Sequence, residues 1–296
     1  MANPPPNPNS KNRYIAFLDI LGFKDMIENL SHEEMIEFYQ TIIEAKNDAI
    51  KHSTERIAMQ SSVTPDTGIH AVLMSDSIII YTEGDYWYNY VRIVLATQFI
   101  TARAIRHGYT LRGAIGCGKV YINTTDDIAV MGKTFVDVYL RSEEQQWHGC
   151  AIYPEAIRNA EDSFEKWKQK LAGSTINSLE ELMKPLGTPI VEYNIPMQFK
   201  TNVLKQNLIY AVNWIERLIQ EENPNRQKIK ISPQHTYEGI AKSLETAFFK
   251  DKDPEAFHES VQIKYLNTLH FVEIILRSMK YLVITPDVNR HRSLPS

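Results

Sequence analysis

The sequence predicts an α+β fold: a ferredoxin-like split βαβ core followed by a mainly helical C-terminal elaboration. Three observations lead there. Apolar periodicity in the first half runs strand, helix, two short strands, helix, glycine-punctuated strand, which is the order of a split βαβ unit. Beyond Tyr153-Pro154 the pattern shifts to longer, more charged helical stretches. The 296 residues are 43% hydrophobic and 23% charged, enough to bury a core of one large or two ordinary domains.

Residues 1–12 carry four prolines and no aliphatic residue beyond Met1 and Ala2, and are predicted to be a disordered tail. Tyr14-Ile15-Ala16-Phe17-Leu18 reads as a central strand ending at Asp19-Ile20-Leu21-Gly22-Phe23, where glycine marks a sharp turn. Met26, Ile27, Leu30, Met35, Phe38, Ile42 and Ala45 recur at helical spacing, and Ser31 with Glu34 forms a capping box that divides two helices. Residues 53–68 read as a loop, with a short strand near Ile57–Met59. Ile69–Met74 and Ile78–Tyr81 form a hairpin across Ser75-Asp76-Ser77. Tyr86–His107 is helical, Leu111–Tyr121 and Ile128–Met131 are strands, and Thr134–Trp147 is helical again. The core therefore spans 13–153. The extension, 154–296, has helices at 160–171, 178–183, 233–249 and 254–279 and strands at 190–196 and 208–214, packing on the core.

Several function classes are excluded. The charge balance, 32 basic against 36 acidic residues, gives −4 and no footprint for nucleic acid or an anionic membrane. No apolar run reaches the ~18 residues of a membrane span, and no signal-peptide pattern opens the chain, so a cytoplasmic location is expected. Cys117 and Cys150 make no CxxC, and the nine histidines lack zinc-site spacing.

Asp19 and Asp76 are the candidate chemistry. One closes the first strand and the other sits at the hairpin tip. In a split βαβ sheet these strands are neighbours, which brings two carboxylates to one edge. They repel unless a divalent cation lies between them, and Mg²⁺ suits such a site because phosphate and water complete its octahedron. The same residues also fit a helix cap and an ordinary turn position. Leu21, Gly22 and Phe23 follow at once, and a strand that turns through glycine into a helix offers free backbone N–H groups to a phosphate.

These residues carry a resemblance. FLDILGFKDMI (Phe17–Ile27) resembles the first signature of class III nucleotidyl cyclases. Leu73-Met74-Ser75-Asp76-Ser77 is similar to their Gly-Asp hairpin, with serine for glycine, and Leu111–Gly118 to their R-x-G-I-x-x-G strand. The matches keep their order over residues 14–147. The resemblance implies a cyclase core in which Asp19, Asp76 and the Ile20 carbonyl hold two divalent metal ions (Mg²⁺ or Mn²⁺). It implies that Leu21, Gly22 and Phe23 meet phosphate, and that the ribose 3′-oxygen of a nucleoside triphosphate attacks its own α-phosphate and expels pyrophosphate. In such enzymes a homodimer completes each site, with a transition-state arginine from the partner subunit. Aligned from Gly132 without a gap, that position falls on Leu140; a one-residue insertion places Arg141 there, and Arg141 is the candidate.

The departures narrow the branch. The lysine and carboxylate that read a purine fall on Val72 and Ala129, which cannot pair with a base edge, and a missing hydrogen-bond partner costs much discrimination. Val72, Ser75 and Arg112 are the candidate base contacts. Residues 139–149, 190–200 and 208–214 are similar to the bacterial Pycsar pyrimidine cyclases. That branch implies conversion of CTP or UTP to a 3′,5′-cyclic monophosphate as an alarm in antiphage defence, read by a separate effector protein. The alternatives are a purine cyclase and a degenerate nucleotide-binding module.

Overall fold

The computed structural model describes residues 9–60, 68–124, 128–170, 176–198, 210–222, 233–250 and 253–278. β1 (Ser10–Leu21) runs through its centre, and its side-chain alternation sets up two buried layers. Tyr14, Ala16, Leu18 and Ile20 face one core cluster, and Ile15 and Phe17 face the other. Asp19 continues the second row.

After β1 come α1 (Phe23–Asn29) and α2 (His32–Gln60), divided by the expected capping box. The Glu34 N–H donates to Ser31 Oγ (3.2 Å), and the Ser31 N–H donates to Glu34 Oε2 (2.8 Å). α2 runs through the segment expected as loop and short strand. Phe38, Ile42, Ala45, Ala49 and Ile57 hold its helical row to the core, so the polar run 51–56 is helix. Residues 61–67 lie outside the described residues.

β2 (Ile69–Met74) and β3 (Ser77–Thr82) form the hairpin, α3 (Trp87–Arg106) crosses the sheet, and β4 (Thr110–Asn123) returns beside β1. β5 (Ala129–Met131) pairs with the end of β4, and α4 (Lys133–Glu144) leads to β6 (Gly149–Ile152). The first four strands lie in the order β2-β3-β1-β4, with β1 antiparallel to both neighbours, as a split βαβ unit requires. Ser10, Lys11 and Asn12 pair with Tyr121, Val120 and Lys119, so the expected tail 1–12 gives up these three residues to β1; residues 1–8 lie outside the described residues.

The sheet continues past β4. β6 lies parallel to it, then come β8 (Tyr210–Val212) and β7 (Ile190–Glu192), within an eight-stranded sheet. α5 (Pro154–Lys168) and α6 (Leu179–Met183) follow β6. The expected strand 208–214 stops at Val212. Asn213 Oδ1 accepts the Glu216 N–H (3.4 Å) and opens α7 (Trp214–Glu222), a helix not expected from the sequence pattern. α8 (Pro233–Phe249) is as expected. The last expected helix, 254–279, is one turn at Pro254–Ala256 followed by α9 (Glu259–Ser278); Met279 lies outside the described residues.

α9 docks through aromatic and polar contacts. Phe271 packs edge-on against Trp147 (4.7 Å between centroids) and against Tyr193 (4.8 Å). Thr268 Oγ1 accepts the His148 N–H (2.8 Å), and Asn267 Nδ2 donates to the Gln146 carbonyl (2.6 Å).

Candidate active site

Asp19 lies opposite Ser77 on one side and opposite Arg112 on the other, so β1 presents its carboxylate between β3 and β4. The hairpin turn is Ser75-Asp76, with Ser75 in the left-handed region (φ +52°), a position glycine fills at less cost. Two bonds fix that turn. Tyr39 Oη on α2 donates to the Ser75 carbonyl (2.8 Å), and the Ile20 N–H donates to the Asp76 carbonyl (2.8 Å). The Ser77 hydroxyl donates to Asp76 Oδ1 (3.2 Å). The structure thus brings Asp19, Ile20, Ser75 and Asp76 to one end of the sheet. Gly22 follows at φ +74°, with open space where a Cβ would stand, and turns the chain through Leu21–Phe23 into α1.

The electrostatics are those of a crowded acidic site. Burial pushes the Asp19 carboxyl above its usual range, and Asp76 and Glu143 push the same way; the facing Arg112 opposes them. Arg112 Nε donates to Asp19 Oδ2 at 2.8 Å, with side-chain exposures of 16% and 18%, and Arg112 Nη1 donates to the Glu143 carbonyl (2.9 Å). Arg112, a candidate base contact, therefore has its guanidinium engaged by Asp19.

Divalent cations, which the resemblance implies, suit this donor set in part. Two carboxylates and a main-chain carbonyl are hard oxygen donors, and a cation would offset the burial, and the smaller repulsion from Asp76 and Glu143, that raise the Asp19 carboxyl. Among the described residues no group of three or more His, Cys, Asp or Glu side chains is placed to hold a metal. Phosphate oxygens and water would complete the coordination, and the residues fit the group on that condition.

Val72 pairs with Ile79 and is 9% exposed, an apolar wall on the Asp19 face of the sheet. Ala129 pairs with Asn123, eleven residues along β4 from Arg112 and so roughly 35 Å away at the usual strand rise. One chain does not bring these two positions together.

Nor does it bring Arg141 to Asp19. The row Phe135, Tyr139 and Glu143 of α4 faces β1: both aromatic rings meet Phe17, and the Glu143 charge is felt at Asp19. Arg141 turns to the other side, where Arg141 Nη1 meets Glu144 Oε2 at 3.5 Å and its charge acts on Tyr153. There it lines a cavity of about 540 Å³ with Gly116, Cys117, Thr134 and Asp137. α4 can lie this close because β4 carries glycines: a Cβ at Gly116 would stand 2.8 Å from Val138 Cγ1, and one at Gly118 would strike Thr134 Oγ1.

Neither thiol nor the buried imidazole offers a competing centre for chemistry. Burial pushes the Cys117 thiol up to about 12 and Cys150 well above its usual value. His148 is fully buried and accepts the Leu111 N–H at Nδ1 (2.7 Å), and burial drives its pKa down to about 3, so it is neutral at neutral pH. Sequence reasoning missed Tyr39, Glu143 and Lys264 at this site. Lys264, on α9, is close enough for its charge to interact with Asp19 and Arg112. Such contacts join segments far apart in the chain, and no local pattern announces them.

No family model matches the sequence, and no curated protein does. Solved structures similar to the chain include three nucleotide cyclases. One is a rhodopsin-guanylyl cyclase catalytic core with converted specificity, in complex with ATPαS (12% identity, TM-score 0.40, covering 68% of this chain and 94% of that one). Another is the guanylate cyclase domain of RhGC from Catenaria anguillulae with GTP (12%, 0.39, 68% and 96%). A third is the adenylyl cyclase CyaB from P. aeruginosa (14%, 0.36, 69% and 94%). Similarity at this level fixes neither a family nor an activity for this chain. Among the described residues no helix is long and apolar enough to cross a membrane.

Proposed function

We propose that this chain is a nucleotidyl cyclase that converts a pyrimidine nucleoside triphosphate, CTP or UTP, to its 3′,5′-cyclic monophosphate and pyrophosphate. The observation that carries the reading is the pairing of Asp19 and Asp76 at one sheet end, each held by neighbouring strands beside the Gly22 turn. Two divalent cations bound there would lower the pKa of the ribose 3′-hydroxyl and neutralise triphosphate charge. The chain itself holds both carboxylates at a fixed spacing, through the Ile20 and Tyr39 bonds to the hairpin. The turn Leu21-Gly22-Phe23 leaves room for the phosphates. The new bond joins O3′ to the α-phosphorus, the bond to the bridging oxygen breaks, and pyrophosphate departs.

Pyrimidine preference is supported by Val72, whose side chain has no polar atom to meet a purine edge. A head-to-tail homodimer is supported by Arg141, which faces away from its own Asp19. It is supported too by the exposed apolar residues Ile128, Met131, Val136 and Leu140 before and along α4. An antiphage role, with a separate effector reading the product, rests on the resemblance to the Pycsar branch alone. A nucleotide-binding module without turnover is the second reading, favoured by the ion pair that occupies Asp19.

Replacement of the carboxylates tests the proposal. Asp19→Ala and Asp76→Ala should each keep the fold and lose turnover by a factor of about 10³ or more, the equivalent of several kcal/mol of charge stabilisation. Turnover near that of the unaltered protein at saturating Mn²⁺, in either variant, would overturn the assignment.

A further inference from the structure

A second charged recess lies at the far end of β1. Lys11 and Arg13 stand two residues apart on that strand, so their side chains share the face on which Ile15 and Phe17 are buried. With Asn9, Tyr81, Glu83 and Asn123 they line a small polar recess of about 120 Å³, where the start of β1 meets the ends of β3 and β4. Asp19 is six residues further along the strand, roughly 20 Å away at the usual rise. The recess is therefore separate from the carboxylate site.

The charges in this recess do not balance. Glu83 is the one carboxylate among the lining residues, and both of its oxygens are taken: Lys11 Nζ stands 2.8 Å from Oε2 and His70 Nε2 stands 3.1 Å from Oε1. The Lys11 bond holds the Glu83 carboxyl below its ordinary range. Arg13 is left over. It is 2% exposed, and among the described residues its single hydrogen bond runs from Nη2 to the Asn9 carbonyl (3.3 Å), an oxygen that also accepts the Ile122 N–H (3.1 Å). Nε is buried with no partner, and the ring of Tyr81, 5.6 Å from the guanidinium carbon, is a weak substitute for a carboxylate. Burial lowers the Arg13 pKa, and the Glu83 charge opposes that shift. A buried guanidinium is costly until its donors meet acceptors. Its planar fork suits two oxygens of one anion, and the Lys11 ammonium on the same face can supply a third contact.

We infer that the recess at Lys11 and Arg13 is a binding site for a small oxoanion of the phosphate or sulfate kind, held by the guanidinium fork and the ammonium. Its volume of about 120 Å³ suits the anionic group alone, well below the ~300 Å³ at which pockets for larger ligands begin. The site uses neither Asp19 nor Asp76, so it stands or falls independently of the cyclase reading. An anion bound there ties the entry of the first strand to its neighbours and stabilises the folded state by mass action.

The test is calorimetric titration of the full chain with inorganic phosphate in metal-free buffer, alongside thermal unfolding in phosphate, sulfate and chloride at matched ionic strength. The proteins are wild type, Asp19→Ala, Arg13→Gln and Lys11→Gln. Wild type and Asp19→Ala should bind one phosphate with equal affinity, and phosphate and sulfate should raise their Tm where chloride does not. Loss of the Lys11 contact should weaken phosphate about tenfold, and Arg13→Gln should lose saturable binding. Should Arg13→Gln fail to fold, Lys11→Gln, altered at an exposed side chain, decides the matter alone. Glycerol 3-phosphate separates two sources of the group: affinity equal to that of phosphate extends the site to phosphate carried on a larger molecule, and no affinity confines it to the free ion. A wild type that takes up no phosphate, or unchanged affinity in Lys11→Gln, would overturn the inference. So would a chloride effect equal to that of phosphate, because that is charge screening without a site. Loss of phosphate binding in Asp19→Ala would put the anion at the carboxylate end and overturn it as well.

Discussion

Were the Arg112 guanidinium absent, Asp19 would remain largely buried beside Asp76 and Glu143 with no cation bonded to it. An ion pair at this depth is weak support for stability while intact, but breaking it strands the other charge. Arg112→Ala should therefore destabilise the protein by about 2–3 kcal/mol, less than a fully enclosed pair because both side chains retain some solvent. Chemical denaturation measures the loss. Added Mn²⁺ should restore more stability to Arg112→Ala than to wild type, since a divalent cation then takes the place of the guanidinium. Equal midpoints in the two proteins would show that the pair contributes nothing, and midpoints that Mn²⁺ leaves unmoved in both would show that no cation replaces the guanidinium. In this arrangement Arg112 is the counter-charge of Asp19, which any metal ion bound there would displace or share.

At the scale of elements, the packing of α4 decides which way Arg141 faces. One row of the helix meets Phe17, while Arg141 lies on the opposite side against Glu144 and Tyr153. A rigid helix seated on Gly116 and Gly118 cannot rotate Arg141 towards its own Asp19 without lifting off β4. If Arg141 serves a partner subunit, inactive Asp19→Ala and inactive Arg141→Ala proteins should regain activity when mixed under subunit exchange, because one of the two sites in a mixed dimer is then intact. A mixture as inactive as its parts would count against sharing.

The legibility of the sequence follows the same division into elements. Ser31 with Glu34, and Asp19 with Gly22, are signals contained within a few residues, and they read correctly as a cap and a strand-end turn. The strand residues Ser10–Asn12 were illegible because their own side chains carry no apolar pattern; the length of β4 opposite supplies their partners. The helix over 53–60 hid behind a polar run anchored only by Ile57. Asn213 before Trp214-Ile215 was a readable cap that the β-rich run before it obscured. Glu143 and Lys264 reach the site through long-range packing, so the chain's local order could not reveal them.

For the whole molecule, the sheet does not end where the split βαβ unit does. β6, β8 and β7 prolong it, and α9 locks onto the segment entering β6 through Phe271, Thr268 and Asn267. The first half thus supplies the carboxylates, and the second half braces the strand beside Arg112 and brings Lys264 near. The chain's modest net charge of −4 agrees with a small anionic substrate held by a local charge arrangement, without a basic surface for a polymer. The proposed reaction rests on the two carboxylates and the turn beside them, and the direct test is product identification. The purified protein is incubated with each of the four nucleoside triphosphates and Mn²⁺, and the products are separated by chromatography. Cyclic CMP or cyclic UMP is expected, with an equal yield of pyrophosphate and little product from ATP or GTP. Cyclic AMP or cyclic GMP alone would contradict the pyrimidine reading, and no cyclic nucleotide from any of the four would contradict the cyclase itself.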